Sequence, residues 1–285
     1  MQLAKLLDSQ GSVCVGKVED EFVHVLDLAG GGFANLSALL STKDLPTTAQ
    51  ALGLTGERIE ISEARFLPPI DQQEVWAAGV TYKRSQTARM EESEAAASCY
   101  DRVYNSDRPE IFFKATPNRV RGTNDALRIR EDATWNVPEP ELALVLSSDL
   151  QIVGYTIGND MSSRDIEGDN PLYLPQAKTY DQCCGLGPWI TLADSMPARQ
   201  EIAIDLKIHR NEEIVFDQST AVSEMARELE DLVGWLGRDN TFPSGAFLLT
   251  GTGIVPNSDF TLAAGDRVDI DISGIGTLSN HIVQG

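Results

Sequence analysis

Pro138-Glu-Pro-Glu-Leu-Ala-Leu-Val-Leu-Ser-Ser-Asp-Leu-Gln-Ile-Val-Gly-Tyr-Thr-Ile-Gly-Asn-Asp160 contains two apolar runs on either side of a polar turn. This pattern predicts a β-hairpin centred near Asp149. Side chains two residues apart in a strand leave the same face, so Glu139 and Glu141 should stand side by side. Folding the two strands onto each other brings Asp160 opposite Glu139. The hairpin therefore predicts a cluster of three carboxylates.

Three carboxylates at one point repel one another, and a shared cation would relieve that repulsion. Hard oxygen ligands suit Mg²⁺, with Mn²⁺ or Ca²⁺ as alternatives. We therefore predict a metal site formed by Glu139, Glu141 and Asp160. The spacing alone leaves a second interpretation open, in which Glu139 and Glu141 are solvated residues at the mouth of a strand.

The 285-residue chain is acidic, with 23 Lys and Arg against 43 Asp and Glu and a net charge of −20. This balance argues against binding to nucleic acid or to an anionic membrane, because both require a basic surface. Its four cysteines form no CxxC pair, which favours a reducing compartment. The N-terminus lacks a signal-peptide core, and no apolar run approaches the roughly 18 residues that cross a membrane. We expect a cytoplasmic protein.

Short strand-like runs and Gly-containing turns are frequent along the chain, whereas helical patterns are few. This favours a β-rich α+β fold. Residues 1–68 predict a small N-terminal domain that begins with a hairpin, and Phe66-Leu-Pro-Pro69 predicts a linker to a larger domain, residues 69–285. The apolar positions from Val222 to Leu236 have helical spacing and predict an amphipathic helix.

Several kinds of chemistry are excluded by spacing. The three histidines have no zinc-binding spacing, and the chain has no GxSxG motif. The remaining candidates are the carboxylates, with Lys178 and the turn at Thr250 as substrate contacts, although a lone lysine is usually a solvated surface charge. Residues 85–98 are mostly good helix formers. They predict either an ordinary surface helix or a cover over a site.

Four motifs resemble the fumarylacetoacetate hydrolase superfamily from about Glu74 to the C-terminus. They are Glu139-Pro-Glu141, Gly158-Asn-Asp160-Met-Ser-Ser-Arg164-Asp165, Lys178 and Leu249-Thr-Gly-Thr252. Within the superfamily, three runs resemble 2-keto-3-deoxy-D-arabinonate dehydratase and related sugar-acid dehydratases. These runs are Arg108 to Arg119, Pro138 to Ala143 and Asn170 to Lys178. The resemblance implies a β-rich catalytic domain after a small N-terminal domain, one divalent metal, and a homodimer or homotetramer.

The resemblance also assigns roles to individual residues. It makes Glu139, Glu141 and Asp160 the metal ligands, and Lys178 and Glu110 the candidate catalytic residues. The expected contacts to a small-molecule 2-keto acid substrate come from five further residues: Tyr82, Ser85, Lys114, Arg119 and Thr252.

One departure bears on the reaction. Hydrolases of the superfamily usually follow a Gly-x-x-Tyr turn with a His and then a Glu, which activate water. Here the turn is Gly79-Val-Thr-Tyr82, and the corresponding positions are Ser85 and Ala88. The absence of this His and Glu pair, which the dehydratases also lack, favours elimination over hydrolysis. Glu91 or Glu92 could still serve as the base.

The expected activity is that of a hydro-lyase, the metal-dependent dehydration of a 2-keto-3-deoxy sugar acid (a pentonate) to 2-oxoglutarate semialdehyde. Two alternatives stay open. One is hydrolysis of carbon–carbon bonds in acylpyruvates or 2,4-diketo acids. The other is a non-catalytic protein that binds 2-keto acids.

Overall fold

A computed structural model describes residues 1–83 and 101–285. Its central sheet has eleven strands among these residues. In hydrogen-bonded order, ten of them are β4 (Leu54–Glu60), β3 (Phe22–Leu26), β2 (Val13–Glu19), β1 (Gln2–Leu7), β13 (Cys184–Leu192), β11 (Ile152–Asp160), β10 (Pro140–Leu146), β16 (Ala246–Leu249), β5 (Glu74–Gly79) and β6 (Glu110–Ala115). The eleventh, β7 (Val120–Arg121), pairs with β13.

A second sheet of five described strands packs on the first. Its order is β15 (Glu213–Ala221), β14 (Ala203–Arg210), β17 (Arg267–Ile272), β18 (Gly276–Gln284) and β8 (Ala126–Ile129). A short two-stranded sheet joins β12 (Ser162–Ser163) to β9 (Asn136–Val137). This strand-rich architecture agrees with the predicted α+β class.

The described α-helices are short. They are α1 (Leu36–Leu40), α2 (Leu45–Ala51), α3 (Arg164–Asp169), α4 (Leu174–Lys178) and α5 (Leu229–Leu236). Residues 101–105 are also helical. Turns of 3₁₀ helix lie at Pro117–Arg119, Pro171–Tyr173, Ala193–Ser195, Arg199–Glu201 and Val222–Glu224. Within residues 1–83 and 101–285, no helix is long and apolar enough to span a membrane.

Strand β10 lies at the centre of the molecule and is buried on both faces. Leu142 and Leu144 pack in the core beneath the second sheet. Ala143 and Val145 pack in the opposite core, which also contains the apolar side chains of α1 and α2. A slip of one residue would exchange these two sets of side chains, so the register of β10 is strongly specified. Glu141, which lies in this strand, is positioned by the same packing.

The predicted hairpin is confirmed. β10 and β11 are antiparallel, with Pro140 opposite Asn159 and Glu141 opposite Gly158. The backbone N–H of Asp160 donates to the carbonyl of Glu139 at 3.0 Å. The strand ends that carry the acidic residues are therefore adjacent.

The helix predicted from Val222 to Leu236 is wrong in its first half. Only a 3₁₀ turn, Val222–Glu224, precedes α5. Between them, the Arg199 guanidinium donates to the carbonyls of Met225 and Arg227, both at 2.9 Å. These carbonyls bond to a side chain from elsewhere in the chain, and Met225 has an extended ψ of 131°. The apolar residues have helical spacing, but hydrogen bonds from Arg199 take the place of the backbone hydrogen bonds of a helix.

The N-terminal strands continue the central sheet. β2 and β3 form the predicted hairpin. β1, which was not predicted, pairs with β13, and Gln2 lies opposite Thr191. The division into residues 1–68 and 69–285 stays a prediction.

Candidate metal centre

A buried cluster of three carboxylates lies where the β10–β11 hairpin ends. Glu139 immediately precedes β10, Glu141 lies within it and Asp160 ends β11. One carboxylate oxygen from each residue lies within 4.8 Å of the other two. All three residues are at most 4% exposed to solvent. The structure therefore brings the three predicted ligands together and excludes the interpretation in which they are solvated.

Without a metal ion, the surroundings of Glu141 as a whole favour its protonated form, although one hydrogen bond stabilises the carboxylate. Its Oε2 atom accepts a 2.6 Å hydrogen bond from the backbone N–H of Gly251. Burial raises the pKa of Glu141 well above its usual value, and repulsion from Asp160 and Glu139 raises it further. A divalent cation would oppose both effects because it stabilises the carboxylate.

The ammonium group of Lys178 bridges two carboxylates of the cluster, those of Glu139 and Asp160. Its side chain is almost completely buried. Nζ donates to Glu139 Oε2 at 2.5 Å and to Asp160 Oδ2 at 3.0 Å. Because Lys178 is the last residue of α4, this short helix fixes the ammonium group between two of the candidate ligands. The centroid of the Phe112 ring lies 5.8 Å from Nζ.

Lys114 is buried behind Asp160. Its Nζ lies 2.5 Å from Asp160 Oδ1, outside hydrogen-bond geometry, and Oδ1 has no hydrogen-bond donor among the described residues. The same ammonium donates to the carbonyls of Met161 at 2.9 Å and Lys178 at 2.5 Å. Burial opposes its charge, but attraction to Asp160 and other nearby groups outweighs this effect and raises the pKa of Lys114. Lys114 therefore lies against Asp160 and against the backbone of Lys178, where it holds both in place.

A narrow cavity of about 20 Å³ adjoins the carboxylates. The predicted site residues Glu110 and Thr252 line it, together with Lys178 and two residues of α3, Arg164 and Glu167. The Thr252 hydroxyl accepts from the Ile254 N–H at 3.2 Å and donates to its carbonyl at 3.1 Å. These contacts orient the Thr252 side chain at the turn that follows β16.

Arg164 and Glu167 were missed by the sequence reasoning. Arg164 Nη2 lies 3.0 Å from Glu139 Oε1, and the Ser162 hydroxyl donates to Glu167 Oε2 at 2.9 Å. Their spacing in the sequence could have indicated this position, because residues three apart in a helix lie on the same face. Arg164 and Glu167 have that spacing directly after Asp160, so both could have been placed beside it.

Three predicted substrate contacts, Lys114, Tyr82 and Arg119, are not among the described residues that line this cavity. Tyr82 is 1% exposed and packs in the core. Its hydroxyl has no hydrogen-bond partner among the described residues. Arg119 donates to the Thr116 hydroxyl at 3.2 Å and is not among the described residues that line the cavity. Ser85, like the rest of the helix predicted over residues 85–98, lies outside the described residues.

The charges around the cavity fit a divalent cation. The described side chains that line it include five carboxylates, Glu110, Glu139, Glu141, Asp160 and Glu167, and two cations, Arg164 and Lys178. Lys114 adds a third cation beside Asp160. When all are ionised, the anions exceed the cations by two. Carboxylate oxygens are the donors that Mg²⁺ prefers, so both donor type and charge match this ion.

Comparisons with known proteins identify the family of this chain. Residues 74–283 match the family described as fumarylacetoacetate (FAA) hydrolase C-terminal. The "Probable 2-keto-3-deoxyxylonate dehydratase" of Haloferax volcanii is 51% identical over 214 residues, which are 75% of this chain and 73% of that protein. The 2-dehydro-3-deoxy-D-arabinonate dehydratase of Saccharolobus solfataricus is 46% identical over 222 residues, 77% of this chain and 74% of that protein.

A solved structure extends the likeness to the whole chain. The 2-keto-3-deoxy-D-arabinonate dehydratase complexed with magnesium and 2,5-dioxopentanoate aligns with a TM-score of 0.84 at 36% identity, over 100% of this chain and 99% of that one. The family match alone spans residues 74–283, from β5 into β18. The protein is therefore a member of the fumarylacetoacetate hydrolase family, as the motifs around Glu139 and Asp160 predicted.

Proposed function

We propose that the protein is a hydro-lyase that converts a 2-keto-3-deoxypentonate to 2,5-dioxopentanoate, which is 2-oxoglutarate semialdehyde, with Mg²⁺ as cofactor. The observation that carries this proposal is the buried cluster of Glu139, Glu141 and Asp160 with Lys178 across it. The two relatives at 51% and 46% identity are named as pentonate dehydratases. The similar solved structure contains magnesium and 2,5-dioxopentanoate.

The net reaction removes one water molecule. A proton leaves carbon 3 and the hydroxyl group leaves carbon 4, which forms a carbon–carbon double bond. Moving a proton from carbon 5 to carbon 3 then gives the enol of the aldehyde, and its tautomerisation gives 2,5-dioxopentanoate. Bound Mg²⁺ would supply Lewis-acid stabilisation of the negative charge that develops on the 2-keto oxygen.

Two lining residues are suited to the proton transfers. Glu110 is partly exposed at the start of β6, so its carboxylate can act as the base that accepts the carbon 3 proton. Lys178 lies against two anions, which favour its charged form, and it can donate a proton to the departing hydroxyl group. We assign Thr252 to the substrate carboxylate, since it lines the cavity at the end of β16.

Product identification tests the proposal. Incubation of the protein with 2-keto-3-deoxypentonate and Mg²⁺ should yield one equivalent of 2,5-dioxopentanoate, measured with a semialdehyde dehydrogenase as coupling enzyme. Glu141→Ala and exhaustive chelation should each abolish the signal. Cleavage of an acylpyruvate into two acids would support the hydrolase alternative. Thermal stabilisation by 2-keto acids without any product would support the binding-protein alternative.

We also infer a homodimer or homotetramer that works in the cytoplasm. This assembly is the one that the resemblance to the sugar-acid dehydratases implies. Cys14, Cys183 and Cys184 are free thiols, which supports a reducing compartment. Light scattering coupled to size-exclusion chromatography checks the subunit number, and a monomer would contradict the first inference.

A further inference from the structure

Two apolar side chains separate the catalytic cavity from a second depression, which we call the outer groove. The outer groove has a volume of about 400 Å³ and is lined by Phe112, Phe113, Arg130, Leu174, Pro175, Gln176 and Thr179. Phe112 and Leu174 also line the catalytic cavity. They therefore form a partition with the carboxylate cluster on one side and the outer groove on the other.

The partition stands next to Lys178. Leu174 and Lys178 are the first and last residues of α4, and side chains four apart in a helix lie on the same face. Phe112 is also close, since its ring centroid is 5.8 Å from Lys178 Nζ. Leu174 and Phe112 are both half-buried, whereas Lys178 is almost completely buried. The partition thus lies on the solvent side of the charged cluster.

Charge determines which end of an acyclic 2-keto acid faces the partition. The carboxylate and keto groups require a cation or hydrogen-bond donors, and the proposed function places them at the metal ligands and Thr252. Lys178, which would protonate the departing carbon 4 hydroxyl group, lies next to the partition. The far end of the carbon chain lacks charge and contacts apolar surface at lower desolvation cost. Phe112 and Leu174 offer such surface.

We propose that Leu174, supported by Phe112, limits the length of the 2-keto acid that the catalytic cavity accepts. This inference rests on the proposed function and adds chain-length selectivity to it. In a five-carbon substrate the terminal hydroxymethyl group ends at the partition. A six-carbon 2-keto-3-deoxy acid would extend into the Leu174 side chain, and shortening that side chain joins the cavity to the outer groove.

The variant Leu174→Ala tests this role, and the chain offers a matched control. Leu172 is two residues earlier, is 83% exposed, and is not among the described residues that line either depression. Leu174→Ala should raise the ratio of kcat/KM for the six-carbon acid to kcat/KM for the five-carbon acid by about tenfold or more, the scale of discrimination by one carbon in an apolar pocket. Leu172→Ala should leave the ratio unchanged. Leu174→Val should shift it less, in the same direction.

A binding measurement separates this inference from the proposed function. The Mg²⁺-loaded protein is titrated in a calorimeter with unbranched 2-oxo acids of four, five, six and eight carbons, which carry no hydroxyl group to eliminate. The original protein and Leu172→Ala should lose affinity beyond five carbons, whereas Leu174→Ala should retain it.

The outcomes are distinguishable. An identical chain-length profile in all three proteins, or equal use of five- and six-carbon acids by the original protein, would overturn the inference. If the original protein produces no 2,5-dioxopentanoate but Leu174→Ala still shifts the binding profile, then the proposed function fails and the role of Leu174 stands.

Discussion

The ammonium group of Lys114 lies 2.5 Å from the carboxylate of Asp160, and neither side chain is more than 2% exposed. The same ammonium donates to the backbone carbonyl of Lys178. A single buried cation therefore fixes both a candidate metal ligand and the backbone of a candidate catalytic residue. Removing one member of such a pair leaves the other charge uncompensated, which typically costs about 3–5 kcal/mol.

Lys114→Met should lower the free energy of unfolding of the metal-free protein by about 3–5 kcal/mol. Saturating Mg²⁺ should restore part of the loss, because the cation compensates Asp160 in place of the ammonium. Urea unfolding in EDTA and in Mg²⁺ measures both values. Lys207→Met, at an exposed position of β14, serves as control and should stay within about 0.5 kcal/mol of the original protein. A Lys114→Met protein as stable as that control would contradict the assignment.

The affinity for Mg²⁺ should rise with pH. The pKa of Glu141 is raised in the metal-free protein, so below that pKa the metal must displace a proton. Affinity should fall by up to about tenfold for each pH unit below the raised pKa, and protons should be released on binding. Calorimetry in buffers of different ionisation enthalpy measures both quantities. Asp149→Asn, at the exposed tip of the same hairpin, should keep the slope. Binding without proton release at any pH would refute this dependence.

Gly251→Ala should weaken both folding and metal binding. Gly251 has φ +91°, and an added Cβ would overlap the Thr81 hydroxyl and lie 3.0 Å from the Ala78 carbonyl. Gly265 is a matched control, since its φ is +93° and no described atom lies within 4 Å of an added Cβ. Gly265→Ala should cost only the conformational term, roughly 1–2 kcal/mol.

Gly251→Ala should lower the free energy of unfolding by more than Gly265→Ala does. It should also reduce Mg²⁺ affinity, because the Gly251 N–H orients Glu141. Urea unfolding and Mg²⁺ titration of the two variants provide the comparison. Equal losses in the two proteins would show that the turn tolerates the added methyl group.

Arg199→Met should destabilise the protein by about 1.5–3 kcal/mol, because the guanidinium bonds to the carbonyls of Met225 and Arg227. Arg267→Met is the control, since Arg267 is 52% exposed and pairs with Asp269 at the surface, where ion pairs contribute about 0–1 kcal/mol. The difference between the two urea midpoints is the measurement. If the two variants unfold at the same urea concentration, Arg199 does not stabilise the segment before α5.

The hairpin of β10 and β11 was predictable because its signals are local. Two apolar runs and the turn composition around Asp149 predicted the strand pairing, and that pairing placed Glu139 against Asp160. The position of Lys114 was not predictable in the same way. The run Arg108 to Arg119 indicated that Lys114 is a site residue. Whether this lysine faces the cavity or lies behind a metal ligand depends on β11 and α4, which are distant in sequence.

The helix predicted for the segment before α5 was wrong for a related reason. Its apolar spacing is helical from Val222 to Leu236, yet Arg199 competes for the carbonyls that a helix would use. Periodicity reports which side chains are buried and contains no information about a guanidinium group from another part of the chain. The first strand, Gln2–Leu7, was not predicted, and one of its two neighbours in the sheet, β13, begins far along the chain at Cys184.

The pairing of β1 with β13 has a consequence for biosynthesis. The strands Gln2–Leu7, Val13–Glu19 and Phe22–Leu26 emerge from the ribosome before β13, and β1 joins β13 only after residues 184–192 have been synthesised. Until then, one edge of β1 exposes unpaired backbone groups that can pair with another nascent chain. The yield of folded protein is therefore expected to depend on chaperones that shield this edge during translation.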